Sequence, residues 1–478
     1  MGGGALIQLI ALGNQNIIIS GNPQITYFKS IYRRYTNFAM ESIQQDITGN
    51  LIPGNRVSVN IARNGDLLKG LCLHYNPSKI VPIQSAINMV ATHLGDSLME
   101  LFEIEIGGQV IDRHYSLWMS VWEHLNSRPY QTCYQFWADQ NNGTEAPIYT
   151  HYYKTGYNHL AFNAIQAIIA GQLGIPYEFQ GPAGTSNAPT EAYVPLKFWF
   201  CNNPGLALPL IALQYHEVKL NIQLASKEAL VSTYAANYDY SLINVDLTSM
   251  KIFADYIYLD SAERKKFAQD SHEYLITQLQ RQEYDDNIVS NNTVTIDLNL
   301  KHPVKEIIFC GKATNTALRY VPGVTGLYSQ VSFGPASPNG IVFRPSSTSP
   351  VYPYLGESIG DWIAGDVTPV KMNLSFNQLP RFSPRNIKYF TRAQIWEHHT
   401  NMGSLLNQDC IGVYSFALRP EEYQPSGTAN FSRITNPRMV FTDFDNTVGE
   451  RLNPLSIFAV NYNVLRIMSG MGSVVFAN

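Results

Sequence analysis

Apolar side chains recur at every second position along much of the chain. Val57, Val59 and Ile61 alternate with polar neighbours, and Asn64-Gly65 carries the signature of a type I′ turn into residues 66–73. Residues 102–106 alternate too, and Gly107-Gly108 turns them into 109–112. Val218, Leu220, Ile222 and Leu224 share one face, with Glu217, Lys219, Asn221 and Gln223 on the other; Val294, Ile296, Leu298 and Leu300 repeat the pattern. Strands with one apolar face bury it against a second sheet, so the pattern predicts sandwiches. Helices are few. Asp260, with Glu263 three residues on, predicts a capped start to a helix over 264–269, and a short helix is expected over 161–170. Gly21-Asn22-Pro23 reads as the turn that launches the first strand.

Long polar or aromatic stretches interrupt the strands at 130–158, 181–191 and 311–357, and the Pro- and Ser-rich run 335–350 reads as an irregular loop. Loops this long are uncommon in a compact β-domain unless they serve a purpose. The chain has 478 residues, more than one core usually organises. The break between two successive sandwiches is expected within 226–245, which divides the chain into an arm (1–25), a first domain (26–235) and a second (236–478).

Composition adds a hint about partners. Charged residues make up 15% of the chain, against roughly 25% in soluble domains, so much of the surface is expected to meet protein. The net charge is −4, and the only tight basic groups are Arg33-Arg34 and Arg264-Lys265-Lys266. A binder of phosphate backbones needs clustered cations, so no direct contact with nucleic acid is expected. The five cysteines form no close pair and fit reduced thiols. No run of 18 apolar residues and no basic leader occurs, and Leu6 stands where a myristoylation pattern wants Ser or Thr. No charge precedes Lys29 and none follows Arg466. Such termini are poor solvated tails; they dock on a partner or pack under their own domain.

Candidate chemistry is sparse. His398-His399 stands beside Glu397 without a ligand spacing, and adjacent residues on a strand face opposite ways, so both read as ordinary polar positions. Asp443, Asp445 and Asn446 lack the calcium-loop spacing and read as a turn. Glu103 and Glu105 share a strand face and read as a solvated surface. No phosphate loop or nucleophile elbow occurs, so no catalytic, cofactor or metal residue is expected. Of four Asn-x-Ser/Thr sequons, Asn142, Asn291 and Asn373 are the glycosylation candidates.

Longer strings go further. Residues 21–42 (GNPQITYFKSIYRRYTNFAMES), 63–67 (RNGDL), 106–115 (IGGQVIDRHY), 204–220 (PGLALPLIALQYHEVKL), 258–269, 424–434 (QPSGTANFSRI) and 461–472 (NYNVLRIMSGMG) fall in order along the chain. Together they closely resemble the major capsid proteins of nucleocytoplasmic large DNA viruses, including those of chloroviruses and other algal and amoebal giant viruses. The resemblance covers the whole chain except the long loops, so glycan sites and receptor surfaces are not carried over. It implies an all-β, non-enzymatic protein of two tandem eight-stranded antiparallel jelly rolls, with few short helices and long inter-strand loops. It further implies a homotrimeric pseudo-hexagonal capsomer that meets neighbouring capsomers in an icosahedral shell, over an internal membrane. The virion is then the protein's place, after assembly in the host cytoplasm. The uncharged N-terminus becomes a base arm facing minor capsid proteins and the membrane, and Asn430, inside a matched string, becomes a turn. Arg33, Arg34 and Tyr35 are the candidate interface residues, since arginine and aromatic contacts suit interfaces; a solvated edge is the alternative for the arginines. A carbohydrate-binding or carbohydrate-active β-sandwich is the rival reading, favoured by 29 tyrosines but silent on the neutral termini.

Overall fold

The computed structural model describes residues 3–11, 20–76, 88–90, 95, 98–126, 132–138, 145–151, 192–233, 245–284, 293–313, 358–360, 371–400, 411–442 and 455–476. The expected helix at 161–170, the loop 181–191, most of 130–158 and 311–357, the Asp443–Asp445–Asn446 group, Asn142 and Asn291 lie outside these residues. Within 130–158, two backbone segments, Thr132–Ala138 and Glu145–His151, pair antiparallel. The chain divides into two compact units, Met1–Phe38 and Ala39–Asn478.

Among the described residues, sixteen principal strands build the rest of the fold. The first eight are β1 (Phe38–Gln45), β2 (Arg56–Asn60), β3 (Leu67–Tyr75), β4 (Met99–Ile106), β5 (Gln109–Tyr115), β6 (Ala192–Pro195), β7 (Val218–Leu224) and β8 (Lys251–Leu259). They form two sheets, ordered β1-β8-β3-β6 and β2-β7-β4-β5. The next eight are β9 (His272–Tyr284), β10 (Thr293–Asp297), β11 (Pro303–Ala313), β12 (Lys371–Phe376), β13 (Leu379–Pro380), β14 (Ile411–Ser415), β15 (Arg438–Thr442) and β16 (Leu455–Met468). Their sheets run β9-β16-β11-β14 and β10-β15-β12-β13. Both sets therefore wind identically, first-eighth-third-sixth facing second-seventh-fourth-fifth. This double Greek key is a jelly roll, and the chain holds two.

The alternation seen in the sequence packs each sandwich. Val218, Leu220, Ile222 and Leu224 are buried in the first core, and Val294, Ile296, Leu298 and Leu300 in the second. Gly107 and Gly108 take φ of +57° and +85°, as a type I′ hairpin between β4 and β5 requires. Asn64-Gly65 behaves differently from the expectation. Neither residue has positive φ, and β2 and β3 lie in different sheets, so this link crosses the sandwich instead of closing a hairpin. Glycine is needed there for proximity: a Cβ on Gly65 would lie 2.6 Å from Tyr256 Cβ.

Strand β8 pairs with β3 along its length. The first roll thus continues through Leu259, past the 235/236 division expected from the sequence, because its last strand returns to the middle of its first sheet. A helix over Ser261–Gln269 follows, with Asp260 Oδ1 accepting from Ser261 N at 2.8 Å.

The rolls also exchange parts. Helix α1 (Gly3–Ile10) lies in the N-terminal unit, and α2 (Ser116–Asn126) leaves β5 of the first roll. Leu117, Trp118, Val121 and Leu125 of α2 are buried in the second roll's core. Conversely, Ile276, Leu465, Ile467 and Val474 of the second roll lie in the first core. Each fully buried large side chain contributes on the order of 1.5–3 kcal/mol, so the exchange ties the two folding units together.

Candidate assembly surface

An edge strand offers unpaired backbone groups to any other strand, and proteins cover such edges. Strands β5 and β9 are both sheet edges, and they cover each other. Asp112, buried on β5, accepts from Leu279 N at 3.0 Å and from its neighbour Arg113 N at 2.9 Å. Its other oxygen lies 3.0 Å from His114 Nε2. Gln278 Nε2 donates back to the Ile111 carbonyl, while Gln278 Oε1 accepts from Asn463 Nδ2 at 2.9 Å. Arg281 stacks over Tyr115 at 4.5 Å. The Asp112 carboxylate and the Gln278 amide are thus both hydrogen-bonded within the seam, as buried polar groups usually are.

A second tie is the terminal hairpin of β16 and β17 (Met471–Val474). Its turn brings the Gly470 carbonyl to Tyr215 N at 3.0 Å and the Gly472 carbonyl to His216 Nδ1 at 3.0 Å. Gly470 has φ +80°, and a Cβ there would meet the Tyr215 ring at 2.6 Å. The 470–472 glycines thus serve close packing of one roll on the other.

Ion pairing is deepest under the end of α2. Phe309 on β11 packs against Phe441 of the facing sheet, at 5.9 Å between ring centroids. Strand alternation therefore points Glu306 and Ile308 to the outer face. Phe458, opposite Ile308, meets Trp118 of α2 at 5.3 Å, so α2 covers that outer face. His398 ends the short helix Gln394–His398, and His399 follows it into the structure. The imidazole of His399 lies 3.1 Å from Glu306 Oε2 through Nε2 and 3.1 Å from Glu421 Oε1 through Nδ1. Both His399 and Glu306 side chains are fully buried. The expectation of an ordinary polar position fails for His399. The pair ends a helix, where the two rings are not forced to opposite faces, and its partners are remote in sequence.

Burial alone lowers the affinity of His399 for a proton. The Glu306 charge and the hydrogen bonds to Glu306 and Glu421 outweigh it and raise the pKa to about 9. For Glu421, burial acts upward, but hydrogen bonds from His399 and Thr400 hold its carboxyl below the usual range. Burial lowers the Lys305 ammonium, against the pull of Glu306 and Glu421, and its Nζ donates to the Pro420 carbonyl at 2.5 Å. Asn126 at the end of α2 completes the cluster: its amide satisfies both ends when nitrogen donates to Glu421 and oxygen accepts from Trp122 Nε1 at 3.1 Å.

Glu103 also departs from its expected solvated place. It is buried and clamped between Arg56 and Arg113, the latter through Nε at 3.0 Å; Glu105 accepts from Asn221 Nδ2 at 2.8 Å. Strands β2 and β5 of the same sheet supply the cations, which a single-strand pattern does not display.

Arg33, Arg34 and Tyr35 lie in the N-terminal unit and are exposed. Tyr35 meets Phe38 edge-on at 6.2 Å. Asn22 takes φ +49°, so a turn forms, but no strand begins until Phe38, so the turn does not launch one directly. Ile7 and Ile10 on α1, and Tyr27, Phe28 and Tyr32 after it, are exposed, Phe28 at 98%. Asn373 sits within β12 opposite Val440, with Oδ1 buried and accepting no hydrogen bond among the described residues. Asn430 Oδ1 accepts from Ser432 N at 3.1 Å and caps the turn Phe431–Arg433. Among the described residues, no three His, Cys, Asp or Glu side chains are placed to hold a metal ion. The aromatic cluster of the second roll is stacked by its own cations, Arg381 at 5.4 Å from Phe416 and Arg385 at 4.4 Å from Tyr389.

Comparison with known proteins places this architecture. The family described as "Major capsid protein N-terminus" matches residues 26–260, and that described as "Large eukaryotic DNA virus major capsid protein" matches 263–473. The major capsid protein of Pyramimonas orientalis virus is 36% identical over 497 residues, covering 100% of both chains. That of Paramecium bursaria Chlorella virus 1 is 34% identical, covering 99% of this chain and 100% of its own. The solved structure "PBCV-1 virus capsid, quasi-atomic model" superposes with a TM-score of 0.65 at 31% identity, over 95% of this chain and 100% of that one. The chain belongs to the large eukaryotic DNA virus major capsid protein family.

Proposed function

We propose that three copies of this protein form a capsomer whose six jelly rolls make a pseudo-hexagonal ring, and that capsomers tile an icosahedral shell over an internal membrane. The observation that carries this reading is the repeat itself: two rolls of identical winding, joined edge to edge inside one chain. A contact between unlike surfaces propagates, and it closes into a ring when its rotation permits. The sparse charge fits the reading, since an obligate interface buries on the order of 2,000–5,000 Å² and is more apolar than a free surface. The uncharged arm, residues 1–25, faces minor capsid proteins and the membrane at the capsomer base. Arg33, Arg34 and Tyr35 contact neighbouring subunits. Assembly takes place in the host cytoplasm, and the mature protein resides in the virion shell without touching the genome.

Electron microscopy of the purified chain tests this. Particles with a six-lobed outline at neutral pH are the expected result. Isolated two-lobed particles at every protein concentration would overturn it.

A further inference from the structure

A histidine ring with a carboxylate oxygen in hydrogen-bond reach of each nitrogen needs both ring protons, because a lone pair facing an anion is repelled. His399 is held in this way, with Glu306 Oε2 3.1 Å from Nε2 and Glu421 Oε1 3.1 Å from Nδ1. The two carboxylates are not equivalent. Glu306 is fully buried, and its Oε1 accepts no hydrogen bond among the described residues. The Glu421 side chain is 24% exposed and also accepts from Thr400 N at 2.8 Å and from the Thr400 hydroxyl. A ring that gives up one proton therefore keeps the other on Nε2, towards Glu306, and turns a lone pair on Glu421.

Through Glu421 the ring reaches the first roll. Glu421 accepts from the Asn126 amide at the end of α2, and Asn126 accepts from Trp122 Nε1 at 3.1 Å. Trp122 meets His399 edge-on at 6.5 Å. When Nδ1 is bare, Glu421 is repelled towards solvent. The end of α2 is then left with a neutral hydrogen bond from Asn126 to Nδ1, 3.2 Å away. Hydrogen bonds to an ionised partner are roughly twice as strong as neutral ones, so α2 is held less firmly.

The other groups around the ring do not replace the lost charge. Lys305 on β11 faces both carboxylates, but burial lowers its ammonium and its Nζ is taken by the Pro420 carbonyl at 2.5 Å. Tyr462 on β16, near Glu306 and Tyr423, is pushed up by burial and stays neutral. His398 turns to the Leu418 carbonyl at 3.2 Å, with Glu397 3.8 Å from its other nitrogen. Asn126 and Trp122 carry no charge, and the side chains of Glu123 and His124 on α2 lie outside the described residues.

We propose that His399, Glu421 and Asn126 form a proton-closed latch between the rolls. A proton on His399 fastens the end of α2 to the second roll. Its loss frees Glu421 and loosens that end, while the seam of β5 and β9 stays shut. The latch belongs to the single chain and does not depend on the capsomer reading.

Pulsed hydrogen exchange on the full chain, corrected for the chemical rate, tests it from pH 6 to 10. The raised proton affinity belongs to the closed latch. Opening is therefore expected to increase roughly tenfold per pH unit between the ordinary value of 6.5 and the folded value of about 9, then to level off. The increase is confined to peptides covering 119–126 and 416–422, with 218–224 of β7 and 276–280 of β9 unchanged. Glu421→Gln puts a neutral amide beside Nδ1, able to accept from an N–H or donate to a lone pair. It is expected to cut the increase to less than about threefold over the whole range. A wild type whose α2 peptides exchange alike throughout overturns the proposal, as does an increase shared by β7; this curve needs no substitution and decides alone. A folded Glu421→Gln variant that follows the wild-type curve also overturns it, since the proton would then act through Glu306.

Discussion

Replacing His399 with glutamine keeps a polar side chain but removes the cation between Glu306 and Glu421. The folded pKa of about 9 lies above the ordinary value of 6.5. A group raised in this way contributes stability that is complete below the unfolded pKa and is lost as pH rises through the folded one. The stability gap between wild type and His399→Gln is therefore expected to be widest near pH 6 and to narrow steadily towards pH 10, measured by denaturant unfolding. Taking the difference between proteins isolates His399 from Lys305, whose lowered pKa acts in the opposite sense. A gap constant across that range contradicts the buried ion pair. Gly65→Ala forces a Cβ into Tyr256 and should cost roughly 1–3 kcal/mol, as overpacking does. At this scale the sequence was least informative. Alternation reports which face a residue takes, but the partners of His399 lie 22 residues away at Glu421 and 273 away at Asn126, and only the fold brings them together.

Helix α2 shows what one element does for two rolls. It begins at the end of β5 and buries Trp118 in the other roll's core. Trp118→Ala should cost roughly 3–5 kcal/mol and lower the melting temperature of the second roll together with the first. Unaltered stability in calorimetry would mean that the helix is a passenger. The strands were legible because one-sided burial imposes period two, as in β7 and β10. The link at Asn64-Gly65 was misread because a hairpin turn and a tight crossing favour the same residues. The end of the first roll was misplaced for a related reason: β8 is separated from its partner β3 by almost the whole roll, and nothing local in its pattern says which sheet it joins.

At the scale of the whole molecule, the chain is an N-terminal unit and a pair of interlocked rolls. The side chains of α1 and of residues 20–37 that the structure describes are exposed, so removing residues 1–25 should leave the melting temperature of the rolls within about 2 °C of the full chain, since surface changes cost little. The family was legible because ordered strings run from residue 21 to residue 472, beyond what composition or periodicity carries. The most direct measurement is the mass of the purified protein by light scattering at neutral pH. A stable species near three times the 53.7 kDa chain mass is predicted. A single-chain mass that persists at high protein concentration would contradict the account.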